Sequence, residues 1–174
     1  MKEARADYSG FIHLHTFLIN FSNPLHEIDL TFRNFILSLN MLKTICYKSK
    51  AKLNINIMGF EAIFNETQTK NDSKNITGVL VKRGQVFFQI LEGESVIIDA
   101  LYLKIKKDSR HTDIIELLNK SISQLSFKGF DTGYSVIEHM DALYGLQNYV
   151  INLEKKDTEN STLFLQIIED LLTT

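Results

Sequence analysis

The chain has 174 residues, 44% of them hydrophobic and 23% charged, with nineteen basic against twenty-one acidic side chains and a formal charge of -2. That is material for one core with appendages, and it excludes a disordered or collagen-like chain. The charge balance offers no basic field to hold a phosphate backbone, so nucleic acid is not an expected partner, and a single cysteine, Cys46, leaves no intramolecular disulfide to form.

Taken from the N-terminus, no run approaches the roughly 20 apolar residues that cross a bilayer, so no membrane span is expected. Phe11 to Phe21 is fairly apolar, yet Glu3 and Asp7 sit among the preceding bases and His13 and His15 interrupt it. A secretory signal therefore fits poorly, and the cytoplasm is the expected location. Residues 1–41 read as an N-terminal extension that becomes helical after the single proline. Asn23 can cap that helix, Pro24 suits its first position, and Ile28, Phe32, Phe35 or Ile36, Leu39 and Leu42 follow at helical spacing.

From Leu42 the pattern shortens. Leu42 to Tyr47, Ile76 to Val81 and Val86 to Leu91 are compact apolar runs of strand length, rich in β-branched or aromatic residues. Lys82, Arg83, Gly84 and Gln85 join the last two, which predicts an antiparallel hairpin. Between the first and second strands, residues 54–68 place Ile57, Phe60 or Glu61, and Phe64 about one turn apart, a helix. Residues 95–107 repeat the helical spacing with Ile97 or Ile98, Leu101 and Ile105, and end in Lys106 and Lys107, whose charge favours a helix C-terminus. Asp113 to Leu118 reads as a further strand.

The order strand, helix, strand, strand, helix, strand resembles a ferredoxin-like α+β unit built on the split βαβ pattern, a mixed sheet with two helices on one face. Residues 136–174 form an expected C-terminal helical extension. Ile137, Met140, Leu143 or Tyr144, and Tyr149 or Val150 make one stripe. After a polar loop from Glu154 to Ser161, Leu163 or Phe164, Ile167 or Ile168, and Leu171 make a second. These two stripes must dock on the sheet, on each other or on a partner.

Chemistry is sparse. The histidines at 13, 15, 26, 111 and 139 lack metal-ligand spacing. Phosphate loops, dinucleotide fingerprints and nucleophile signatures do not occur, so neither a metal nor an enzymatic activity is expected. Three polar patches sit beside strands: Cys46-Tyr47-Lys48-Ser49, Asn71 with Asn75-Ile76-Thr77-Gly78, and Phe88-Gln89-Ile90-Leu91-Glu92-Gly93. Gln89 is the odd residue, because an amide inside an apolar strand is costly unless its oxygen and nitrogen are both satisfied. Tyr47, on the strand that a ferredoxin-like topology places alongside, would satisfy it. The alternative is a Gln89 facing solvent beside an ordinary strand tyrosine, with Asn71 a loop residue or helix cap.

At these residues the chain resembles the BLUF family, blue-light sensors that bind a flavin. The family's first strand ends in a tyrosine followed two residues later by serine, here Tyr47 and Ser49. An asparagine five residues before Ile-Thr-Gly is matched by Asn71 and Ile76-Thr77-Gly78. Phenylalanine, glutamine, a branched residue and Leu-Glu-Gly are matched by residues 88–93, and a closing Asp-x-Arg-His by Asp108-Ser109-Arg110-His111. Tyr47 to Asn71 is 24 residues, Tyr47 to Gln89 is 42 and Gln89 to Asp108 is 19, the family's usual spacing. The resemblance covers residues 42–135, which would be the flavin-binding domain.

The resemblance implies non-covalent FAD, with FMN or riboflavin as alternatives, its ring between the two helices and against the sheet. Tyr47 would donate an electron and a proton to the excited flavin, and Gln89 would rearrange its amide. Asn71 would hold the ring's polar edge. Lys70 would contact a flavin oxygen or point to solvent, and Lys104 matches a basic position near the flavin. Asp108, Arg110 and His111 match the helix end beside the cofactor, with a local ion pair as the other reading of Asp108 and Arg110.

Where the family carries phenylalanine, tryptophan and methionine after the fourth strand, this chain has Phe127, Phe130 and Thr132. Phe130 and Thr132 are therefore the expected signal-relay positions, and a different rearrangement of a fifth strand the alternative route. The remaining residues are too few for a cyclase or phosphodiesterase module, so a stand-alone sensor is expected, acting on an unidentified protein effector or through a homo-oligomer. Two other functions compete: a light-insensitive ferredoxin-like interaction module derived from the same family, and a flavin-dependent redox enzyme, for which no pyridine-nucleotide site is seen.

Overall fold

The computed structural model describes residues 41–52, 57–131 and 134–173; the helix expected after Pro24 lies outside them. In chain order the elements are β1 (Leu42–Ala51), α1 (Ile57–Asp72), β2 (Thr77–Arg83), β3 (Val86–Glu94), α2 (Ser95–Lys107), β4 (His111–Ile122), β5 (Tyr134–Ile137), α3 (Met140–Glu154) and α4 (Ser161–Thr173). The sheet order is β4-β1-β3-β2-β5. The four strands β4-β1-β3-β2 pair antiparallel in the ferredoxin-like order, and the parallel pairing of β5 with β2 makes the sheet mixed.

The strands outrun the apolar stretches that announce them. β1 continues past Tyr47 because Lys48 and Lys50 are exposed while Ser49 and Ala51 are buried, an alternation that the chemistry of the letters conceals. β5 differs from expectation: Ile137, which fits the C-terminal helical stripe by spacing, closes this short strand, and the helix starts at Met140. The cause is non-local, since Gly78, Val79, Leu80 and Val81 of β2 pair in parallel with Tyr134 to Ile137.

Successive residues of each strand serve opposite faces. Ile45, Tyr47, Leu80, Phe87, Leu91 and Tyr134 join Ile63 and Phe64 of α1 and Ile98 and Tyr102 of α2 in one cluster. On the other face, Cys46, Val79, Val81, Phe88 and Ile90 join Phe127 and the inner sides of α3 and α4. The two C-terminal stripes therefore dock on the sheet, and the helices that carry them also pack on each other. With both faces covered, β3 is buried from Phe87 to Gly93, which explains why it is apolar there except at Gln89 and Glu92. Each large apolar side chain so buried contributes about 1.5–3 kcal/mol.

Gly78 is required by close approach. Its φ is +139°, and a Cβ built there would stand 2.0 Å from the Ile90 carbonyl oxygen. The outer strand β4 shifts register against β1 between Cys46 and Tyr47 and between Lys48 and Lys50, irregularities that bend an edge. Among the described residues, no helix is long and apolar enough to cross a membrane.

Candidate functional site

Tyr47 lies directly opposite Gln89 in the β1–β3 ladder. On the face covered by α1 and α2, the Tyr47 hydroxyl donates to Gln89 Oε1, and Gln89 Nε2 donates to the Tyr134 hydroxyl on β5. Tyr47 is 1% exposed, Gln89 3% and Tyr134 0%, so the amide is held between two phenols away from water. The solvent-facing alternative for Gln89 does not apply. Both ends of the amide are satisfied, which is what makes a carboxamide tolerable there.

The electrostatics keep the phenols of Tyr47 and its neighbour Tyr102 neutral. Burial pushes the Tyr47 hydroxyl well above its ordinary range, and the neighbouring Tyr134, Tyr102, Asp108 and Cys46 add to the effect. The Tyr102 ring of α2 is tilted 5.5 Å from that of Tyr47, and its hydroxyl is pushed up to about 12, by burial first and then by Glu116. Burial also raises the Cys46 thiol, leaving it an inert core group.

Asn71 ends α1 as a buried side chain. Its backbone carbonyl accepts from the backbone N–H of Lys74 at 3.0 Å and of Ile76 at 3.1 Å, tying the helix end to the start of β2. Its Nδ2 is buried and makes no hydrogen bond. An unpaired buried amide donor costs about 1–3 kcal/mol unless something accepts from it. A ring carrying carbonyl oxygens at its edge, as a flavin does, suits that donor, and the donor–acceptor ambivalence of Gln89 suits the same edge. The residues present fit such a group.

The remaining predicted positions divide. Arg110 Nη2 binds Asp108 at 2.5 Å and Arg110 Nη1 binds Glu66 at 3.2 Å, while Lys70 pairs with Glu66 one turn away on α1. Lys70, Asp108 and Arg110 thus meet in one ion-pair cluster through Glu66. Burial works against the Asp108 carboxylate, yet hydrogen bonds from the Arg110 side chain and backbone hold it below the usual range. His111 places Nδ1 3.1 Å from Ser49 Oγ and its ring 5.3 Å from that of Phe87, and burial lowers its pKa. Lys104 is exposed on α2. Phe130 packs on Tyr149 at 4.9 Å and on Phe127 at 6.4 Å, with the cluster on the opposite face of the sheet from Gln89. Thr132 lies outside the described residues.

Three residues were given no role by the sequence reading. Glu66 was accessible through its i,i+4 spacing from Lys70. Glu92, in the Leu-Glu-Gly motif, is fully buried, and its Oε2 accepts from the backbone N–H of Ser126 at 2.7 Å and of Phe127 at 3.0 Å. Tyr134 left only the short alternation Tyr134-Ser135-Val136-Ile137 as a trace.

Residues 42–133 match the model of the BLUF family, described as sensors of blue light using FAD. The chain is 32% identical over 122 residues to photoactivated adenylate cyclase subunit beta of Euglena longa, covering 70% of this chain but only 14% of that one. Among solved structures it is similar to Klebsiella pneumoniae BlrP1 with FMN and cyclic diGMP, at 30% identity and a TM-score of 0.54, over 63% of this chain and 30% of the other. It is also similar to BlsA in its photo-activated state, at 25% identity and a TM-score of 0.55, over 77% of this chain and 96% of that one.

Proposed function

Because the chain belongs to the BLUF family, the sensors of blue light using FAD, we propose that it binds flavin without a covalent bond on the face roofed by α1 and α2, and signals by rearranging the hydrogen bonds of Gln89. The buried bridge from Tyr47 to Gln89, with the unpaired Asn71 donor on the adjoining helix, is the observation that carries this reading. FAD is the assigned cofactor, with FMN and riboflavin as substitutes, since Tyr47, Asn71 and Gln89 address a ring and not its tail.

When bound, the flavin supplies blue-light absorption and an electron-accepting excited state. Everything else is done by the chain. Tyr47 stays a neutral phenol until then, because burial disfavours its anion, and its proton is held against Gln89 Oε1. Gln89 presents a donor and an acceptor that exchange places when the amide turns, so the pattern at the site changes with no substrate consumed. Asn71 offers Nδ2 to the polar edge of the ring. Lys70, Asp108 and Arg110 form a charged rim with Glu66, Lys104 adds a cation on α2, and His111 closes the site against Phe87.

The chain's output is a light-dependent contact with a protein effector in the cytoplasm or with a second copy of itself, and no turnover of a substrate is assigned to it. The sheet, which ends with β5 at Ile137, and the helices α1 and α2 form the sensing unit, and α3 and α4 form the helical layer behind it; residues 1–41 are an extension. The test is an absorption spectrum of purified protein before and after blue light. Expected is a yellow protein whose flavin band moves slightly to the red and returns in darkness. Colourless protein that takes up no added flavin overturns the reading.

A further inference from the structure

The sheet brings a second phenol to the photoactive amide. Tyr134 pairs with Gly78, and Gly78 in turn with Leu91, so Tyr134 lies in the row next to that of Gln89, Leu80 and Val136. Gly78 brings no side chain between Tyr134 and β3, and the Tyr134 ring reaches across β2 to put its hydroxyl on Gln89 Nε2. β5 has one neighbour, β2, and four residues, so it is held by less than the other strands.

We propose that Tyr134 is the relay residue of this sensor: it accepts from the Gln89 amide in one state, donates to it in the other, and so passes the turning of that amide to β5. This rests on the light-sensor reading above. In the observed arrangement Gln89 Oε1 accepts from Tyr47 and Nε2 donates to Tyr134. Turning the amide by half a revolution sets Nε2 against Tyr47 and Oε1 against Tyr134. A hydroxyl both donates and accepts, so each phenol reverses its role and two hydrogen bonds persist. An indole N–H, which only donates, or a thioether, which accepts weakly, would favour one orientation. With a phenol on each side, both ends of the amide stay paired in either orientation, and the amide becomes a two-state element.

At 0% exposure Tyr134 draws no bulk water to its hydroxyl, so reversal must turn its O–H, and with it the environment of β5. Ser135, the next residue, is bound to Asp131 Oδ2 at 2.8 Å and carries the change into the segment before β5. Phe130 lies with the other face's cluster, and among the described residues Tyr134 is the β5 side chain hydrogen-bonded to the amide.

The test compares holoprotein carrying Tyr134→Phe with wild type and with Tyr144→Phe, a change at an exposed position on α3. Expected is a flavin red shift in all three, with dark recovery altered about fivefold or more in Tyr134→Phe alone, the effect of losing one hydrogen bond of about 1 kcal/mol. Light-minus-dark infrared spectra of unmodified protein grown on ring-labelled tyrosine should show two tyrosines changing, whether or not the variant folds. In flavin-free protein, the Gln89 side-chain amide proton resonance, assigned by its loss in Gln89→Leu, should move in Tyr134→Phe. Wild-type protein that shifts with one changing tyrosine, or with recovery equal in the variant, overturns the relay alone. Wild-type protein that shows no red shift overturns the light-sensor reading and the relay with it, while the flavin-free resonance still reports the Gln89–Tyr134 bond.

Discussion

A carboxamide flanked by two hydroxyls sets the behaviour of the site, and single atoms there have separable consequences. Tyr47→Phe removes the donor to Gln89 Oε1, and Gln89→Leu removes both ends of the bridge. Each keeps a side chain of similar bulk, so bound flavin and its yellow colour are expected to remain while the normal red shift is lost; a normal shift in either variant removes that residue from its role. Glu92 is a second sensitive residue. Burial lifts its carboxyl from 4.5 to about 7, against the opposing pull of hydrogen bonds from Phe127, Ser126 and Thr77. Between those values the unfolded chain has lost the proton and the folded chain keeps it, so folding stability falls as pH rises from about 4.5 to about 7 and levels off above. Urea midpoints followed across that window should show a decline worth about 2–4 kcal/mol, and Glu92→Gln should flatten it. Two groups on neighbouring elements belong to this environment: Tyr149, whose hydroxyl donates to the Ser126 carbonyl at 2.7 Å, and Thr77 of β2.

At the scale of elements, the motif glycine and the charged helix end do different things. Gly78 lets β2 lie against the Ile90 carbonyl and leaves a row clear for Tyr134, so Gly78→Ala meets backbone that cannot swing aside. A loss of more than about 1 kcal/mol is expected, read as a lower urea midpoint; an unchanged midpoint would mean that β2 is free to adjust. The Glu66, Lys70, Asp108 and Arg110 cluster joins α1 to the end of α2, yet its members are partly exposed and its stability value is small. Sequence spacing located α2 at Ser95–Lys107 from its apolar period and terminal lysines. β5 escaped because a four-residue strand has no period to read, and its pairing partner lies more than fifty residues away along the chain.

For the molecule as a whole, the layer of α3 and α4 is what completes a sheet buried on both faces. A chain cut after Glu138 would expose Cys46, Val79, Val81, Phe88 and Ile90 together. Such a contiguous apolar face is expected to drive self-association, visible as aggregation by light scattering, whereas the full chain stays dispersed. A dispersed short chain would show that these helices are appendages and not part of the core. Their two stripes were legible as amphipathic helices, but whether they faced the sheet, each other or a partner was not. Periodicity states that a face must be covered and says nothing of by what.

Local chemistry along the chain was enough to determined the alternation of strands and helices, the α+β class and the anomaly of Gln89. The spacing of Tyr47, Asn71 and Gln89 added the family likeness. What tertiary structure alone decided is which groups complete the site: Tyr134 across β2, Glu66 beneath Arg110, and Glu92 against the backbone of Ser126 and Phe127. The reason is physical. Propensity and period act among residues a few positions apart, while a hydrogen bond between buried side chains depends on register between strands distant in sequence, and register is fixed only when the whole sheet closes.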